Sequence, residues 1–424
     1  MKTIYRAGRI FTGQAEEVLL DGALVVDGPL ITWVGPAAEL PAMEGVTHDL
    51  GDAATILPGL IDTHVHLVFD GSAHPVAVVE TANDSELLAI MFQSARQLLS
   101  VGVTTARDLG APRLLDKAVR DAIAKGLARG PRMLVANAPL TVTGGHCWFF
   151  GAECDGVEEA RRQVRLARKN GADCIKIMST GGNMTAGTLP SEPQFTQEEL
   201  DAIVAEAHKY GLKVAAHAHG AEGIRRSVLA GVDSVEHFSF TEADGSMREV
   251  AEIVQLAADA GTYVCKTVCG AWAGLLAADD NAVPLDMTRS LVDRGVRLVA
   301  GTDAGIDNTP HQEYVFGLEG MAAFGMSNAE VLLAATRTAA ESLGIDAATG
   351  TLEAGKEADI IAVNGNPLED LATLRNIITV MAKGTLYTPE FASTMAWASD
   401  VPERYQGRLG ACATLERSVA LGRL

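Results

Sequence analysis

Between about residues 57 and 351 the chain alternates a short apolar run with an amphipathic stretch, eight times over. The runs start near 57, 103, 132, 172, 212, 231, 262 and 296. Among the stretches between them, Glu86 to Ser100 sets Leu87, Met91, Ala95 and Leu98 on one stripe, as a helix requires. Thr196-Gln197-Glu198-Glu199 reads as a capping box opening a helix with Leu200, Ile203, Val204 and Ala207 inside. Parallel strands need a long crossover, and a helix is the usual one. Eight such units predict an α/β chain with a (β/α)8 TIM barrel over 57–351; an open doubly wound sheet is the alternative. Glycine, 43 of 424 residues, suits the many tight junctions between strand and helix.

The two ends show no helical period. Leu24-Val25-Val26-Asp27-Gly28 and Ile31-Thr32-Trp33-Val34-Gly35 are apolar runs closed by turn residues. Asp359 to Gly365 and Ile377 to Gly384 resemble them. This predicts one small β-sandwich domain made from 1–56 and 352–388. The tail, 389–424, contains Trp397, Tyr405 and four Arg and receives no assignment.

Composition excludes several classes. At 48% hydrophobic and 21% charged, the chain is not a disordered or low-complexity protein. A formal charge of −20 argues against nucleic acid and anionic membranes as partners. No apolar run is long enough to predict a membrane span, and the residues after Met1 carry no apolar signal core. Cys147, Cys154, Cys174, Cys265, Cys269 and Cys412 lack CxxC spacing and are expected to be reduced thiols in a cytoplasmic protein.

The strand ends carry the chemistry. Leu57 to Leu67 reads as a buried strand ending in His64-Val65-His66. A strand has a period of two, so both imidazoles face one way and could hold a metal. Lys176 stands between Ile175 and Ile177; if these face the helices, the lysine faces the barrel axis. A bare ammonium there is costly unless paired, deprotonated or modified. It could form a Schiff base, be carbamylated and bridge metals, or snorkel to the rim. A second His-x-His ends a strand at His217 and His219, Glu236-His237 ends a third, and the last run ends in Thr302-Asp303. C-terminal strand ends are where barrels build active sites, and so many metal-ligating side chains there predict a metal centre.

Those residues, in that order on successive strands, resemble the amidohydrolase superfamily. Ile56 to His66 is similar to its opening motif, and Leu352 to Ile360 to its return into the β domain. The resemblance implies two divalent ions, zinc by default among His-rich sites. His64 and His66 match ligands of the first, and His217 and His237 ligands of the second. Lys176 matches a carboxylated bridging lysine. Asp303 matches the aspartate that binds metal and handles the proton for a metal-bridging hydroxide.

Gly171 to Gly182, with Thr143-Gly144-Gly145-His146, resembles the branch of Xaa-Pro dipeptidases, arginine/lysine carboxypeptidases and ochratoxin-type amidases. That branch cleaves an amide of an amino acid. One departure is His219, where dipeptidases carry a tyrosine that helps hold the substrate carboxylate. His146, His219 and Trp148 are the expected substrate contacts, with His146 also the candidate oxyanion donor. Trp148, Phe149 and Phe150 would favour a bulky acyl group. Other readings are a carbamate, lactone or cyclic-amide hydrolase on the same site, a Schiff-base lyase using Lys176, and a non-catalytic scaffold. Expected partners are a small-molecule substrate and further copies of the chain. His48 and His74 are expected in solvated loops, His208 on a polar helix face, and His311 either at the site's rim or directly behind its ligands.

Overall fold

The computed structural model of the chain describes residues 2–16, 18–278 and 284–406. Cys412 lies outside them, and the other five cysteines are free and buried. The eight central strands are Leu60–Val65, Val103–Asp108, Arg132–Val135, Cys174–Met178, Lys213–Ala218, Ser234–His237, Tyr263–Cys265 and Arg297–Val299. The first three form one parallel sheet. The last five form another, extended by the short strands Leu140–Thr141 and Ala152–Glu153. Backbone hydrogen bonds cross both gaps. Asp173 N–H donates to Val135 O at 2.8 Å, linking the third strand to the fourth. Thr63 N–H donates to Ala300 O at 3.0 Å and His66 N–H to Ala304 O at 2.9 Å, linking the eighth to the first.

The apolar run from Leu57, which reads as one strand, is two. Ala54–Pro58 pairs with Ile360–Asn364 in the end-built sheet, and Leu60–Val65 starts the central series. Gly59 separates them because a Cβ there would collide with the Thr104 side chain. Local apolarity cannot show such a change of partner. Both ends of the chain share an eight-stranded sheet. Its hydrogen-bonded path runs Thr385–Tyr387, Ile377–Ala382, Ile360–Asn364, Ala54–Pro58, Thr3–Phe11, Val18–Asp27, Leu30–Pro36, with Val46–Asp49 also on Thr3–Phe11. That sheet has its own core of Tyr5, Ile10, Leu24, Ile31, Ile56 and Ile360, distinct from the main one. His48 sits in Val46–Asp49 rather than a loop, and its exposed ring stacks on Tyr5.

Helices cover the central strands as the apolar stripes require. Asp84–Ser100 buries Leu87, Met91, Ala95 and Leu98, and Gln197–Lys209 opens on the Thr196–Glu199 capping box. The described part of the tail docks instead of trailing. Trp397 is fully buried against Phe316 and Phe324, its backbone N–H donates to Glu319, and Arg375 makes a two-pronged pair with the same carboxylate. Glu313 accepts bonds from Ser393, Thr394 and Met395. No helix among the described residues is long and apolar enough to cross a membrane.

Candidate metal centre

Strand register brings the candidate residues to one place. Lys176 pairs with Ala215, and Met178 with His217, which in turn pairs with Glu236. With a period of two, Lys176, His217 and Glu236 therefore share the inner face. Ile175 and Ile177 turn to the other side, into the core that contains Leu200 and Ile203. His237 follows Glu236 directly and would face outward in a regular strand. A φ of 70° turns it back. Asp303 lies four residues past the end of its strand, at φ 59°. Left-handed non-glycine residues cost on the order of 1–3 kcal/mol and collect at functional sites.

The ring nitrogens converge. His64 Nε2 and His66 Nε2 are 3.3 Å apart, and Asp303 Oδ1 lies 3.1 Å from the first and 3.3 Å from the second. His237 Nε2 is 2.8 Å from His217 Nδ1, and the His219 ring stacks on His237 at 4.4 Å. Ligand atoms of His64, His237 and Asp303 lie within 4.8 Å of one another, as do those of His217, His219 and His237. Lys176 is 1% exposed, and its Nζ has no hydrogen-bond partner among the described residues. An isolated buried amine is expensive, and this one sits amid imidazoles and a carboxylate. The donor set suits divalent cations.

Electrostatics agree. Burial pushes the His217 and His237 imidazoles well below their usual range, leaving neutral rings whose lone pairs can bind metal. Burial also lowers the Lys176 ammonium, although Glu236 and Asp303 oppose it. Burial disfavours the Asp303 charge, yet the nearby His64 and His66 hold its carboxyl well below the ordinary range.

Sequence reasoning assigned no role to Glu236 and Arg107. Glu236 is fully buried; one oxygen lies 2.9 Å from His64 Nδ1, and the other accepts from Arg107 Nη2 at 2.9 Å and Ser234 Oγ at 2.6 Å. Arg107 reaches these groups from the second strand, while its Nε donates to Thr63 O. A carboxylate behind a ligating imidazole fixes its tautomer and aim. Glu236 was legible only as the neighbour of His237. Asp62, two residues before His64, accepts from the His64 and Thr302 backbones and from the Thr302 hydroxyl. It thus anchors the turn that carries Asp303, and burial raises its pKa to about 7.

A cavity of about 260 Å³ opens over these groups. His146 and His219 line it, as do Phe69, Cys147, Cys269 and Trp272. Burial lowers His146 to about 3, and its Nδ1 has no partner among the described residues. Gly182 leaves the space its ring occupies. Trp148 is a correction: it does not line this cavity. It is 46% exposed and meets Phe149 edge-on, because Cys147, at φ 56°, turns the chain away after His146. The aromatic walls come from Phe69 and Trp272 instead, the latter on a helix after the seventh strand. His311 is buried near His66, the inner of its two expected placements, and His208 pairs with Asp233 at 2.8 Å. His74 is exposed at a helix start.

Comparison with known proteins identifies the family and the fold. The model of the Amidohydrolase family matches residues 55–387. The ochratoxinase of Aspergillus niger is 32% identical over 410 residues, covering 87% of this chain and 82% of that protein. An imidazolonepropionase of Pseudomonas paraeruginosa is 26% identical, with 81% and 88% covered. A crystal structure of a Xaa-Pro dipeptidase with bound methionine in the active site superimposes with a TM-score of 0.82 at 32% identity, covering 91% of this chain and 100% of that one.

Proposed function

This chain belongs to the amidohydrolase family and is a hydrolase, and we propose that it cleaves the amide bond of an N-acyl amino acid or dipeptide-like substrate at a binuclear metal centre. In this reading residues 57–351 close as a (β/α)8 barrel, and the end-built sheet folds as a sandwich. Bonds across both gaps between the parallel sheets support the closure. The observation that carries the function is the Lys176 Nζ, without a hydrogen-bond partner among the described residues, in a cavity that His64, His66, His217, His237 and Asp303 also line. His64 and His66 would hold one ion, His217 and His237 the other, with Lys176 as a bridging carbamate, Asp303 a further ligand, and zinc the proposed metal. A neutral amine adds to carbon dioxide and loses a proton to give that carbamate, so a lowered lysine pKa favours it.

When bound, the ions supply Lewis acidity for a carbonyl oxygen and for water. The chain's own groups do the rest. Asp303, held ionised, accepts a proton from the attacking water and returns it to the leaving nitrogen. Glu236 keeps His64 aimed. His146 presents a neutral ring toward the carbonyl oxygen, where negative charge develops. Phe69 and Trp272 favour an apolar acyl group. The methionine in the active site of the dipeptidase structure supports an amino acid as part of the substrate.

The test is metal analysis with a substrate screen on one preparation. Expected are two divalent ions per chain and higher kcat/KM for N-acyl amino acids bearing bulky acyl groups than for small dipeptides, carbamates or lactones. A fully metallated protein that turns over carbamates or lactones and no amide would refute the reading. His146→Ala is expected to lower kcat by about 10²–10³, as for loss of an oxyanion donor, at unchanged metal content. Loss of metal in that variant would make His146 a ligand instead.

A further inference from the structure

We propose that Lys266 forms a carboxylate-binding subsite beside the metal centre, taking the α-carboxylate of the amino acid that the cleaved amide releases. The inference rests on the N-acyl amino acid reading and names the residue that would recognise the acid end. Three basic side chains are buried among the described residues: Arg107, Lys176 and Lys266. Arg107 is neutralised by Glu236 at 2.9 Å. Lys176 belongs to the metal centre. Lys266 has only a backbone carbonyl, donating from Nζ to Phe238 O at 2.8 Å, and no carboxylate within ion-pair distance among the described residues. The acid it feels most, Glu249, is already paired with Arg294 at 2.9 Å. A buried ammonium that keeps its charge without an anion is a standing cost, which a carboxylate ligand would offset.

Its position fits. Phe238 follows the proposed ligand His237, and Thr267, next to Lys266, has its Oγ1 3.0 Å from His237 Nδ1. Lys266 lines a cavity of about 540 Å³ that shares His219, His237, Thr267, Trp272 and Asn183 with the central one. The two cavities are therefore neighbours that share a wall beside the proposed ligand His237. Ser239 and His219, 2.8 Å apart, stand on the same wall and can between them offer one donor to the second carboxylate oxygen. Glu242 and Asp244 also line this cavity but are exposed, so the buried wall is cationic and the mouth acidic. Lys266 also borders a second cavity, with Glu249 and Asp286, on its far side. Burial lowers its pKa to about 8, consistent with an ammonium lacking a strong anionic partner.

The test compares an acid with its amide, by binding and by turnover, on the metal-loaded full chain. Titration calorimetry with L-methionine and L-methioninamide needs no catalysis. The wild type is expected to bind the acid about 10–100-fold more tightly, the range of a charge-assisted hydrogen bond. Lys266→Met should abolish that difference at unchanged metal content, and Lys266→Arg should retain part of it. In hydrolysis of N-acetyl-L-methionine against N-acetyl-L-methioninamide, Lys266→Met should raise KM for the acid and leave the amide unaffected. Discrimination unchanged in Lys266→Met, or absent in the wild type, overturns the proposal. If Lys266→Met does not fold, Lys266→Gln carries the same comparison. A wild type that binds the acid selectively but hydrolyses no N-acyl amino acid would sink the function reading and leave the subsite standing.

Discussion

Lys176→Ala is expected to abolish hydrolysis and to leave the protein short of one metal ion. The change removes the proposed bridging ligand, so its effect should exceed the roughly 10–100-fold typical of groups that merely orient ligands. It also leaves space on a fully buried strand face. Acetate or propionate should enter that space and restore part of both activity and metal content, since either supplies the missing carboxylate. The metal-free variant should unfold no earlier than the metal-free wild type. The lost amine has no hydrogen-bond partner among the described residues, and relief of that buried polar group offsets the cavity its methylenes leave. Metal analysis, activity with and without the short acids, and thermal melts check this together. Wild-type metal content in Lys176→Ala, or mass spectrometry and diffraction of metal-loaded protein showing an unmodified lysine away from any ion, would remove Lys176 from the centre.

Asp303→Asn is expected to reduce kcat by about 10²–10⁴, the usual contribution of a positioned acid–base group. The substitution is chosen for its backbone. Asp303 has φ 59°, and asparagine tolerates that region at least as well as aspartate. Asp62 and Thr302 still anchor the turn from outside the changed side chain. Fold and melting temperature should therefore hold, and an amide cannot accept the proton. The assay is run at saturating metal, so that a weakened site is not mistaken for lost proton transfer. Near-normal turnover would show that the proton goes elsewhere, with His146 and His219 the next groups on the cavity wall.

Most of the centre was legible because its residues obey local rules. His64 with His66, and Lys176 against its flanking isoleucines, are parity arguments, and the structure keeps that parity. Trp148 failed for a reason that parity cannot reach. It follows Gly144-Gly145-His146 closely, but one left-handed residue, Cys147, sends it outward while His146 stays in. Trp272, the aromatic that does line the cavity, lay in a stretch with no motif around it. The tail was opaque for a similar reason. Trp397 and Tyr405 gain meaning only from Phe316, Phe324 and Glu319, distant in sequence.

The sequence by itself determined the strand–helix alternation, the split β region at the two ends, and the side chains that could reach a common centre. Each is a short-range consequence of periodicity, and periodicity is written in neighbouring residues. Only the tertiary structure decided which groups meet across that centre. Arg107 and Glu236 are 129 residues apart, and Asp62 and Thr302 are 240 apart. No local pattern encodes either pairing. Both follow from packing that brings buried charged and polar groups together where water cannot solvate them, so that each must find its partner within the protein.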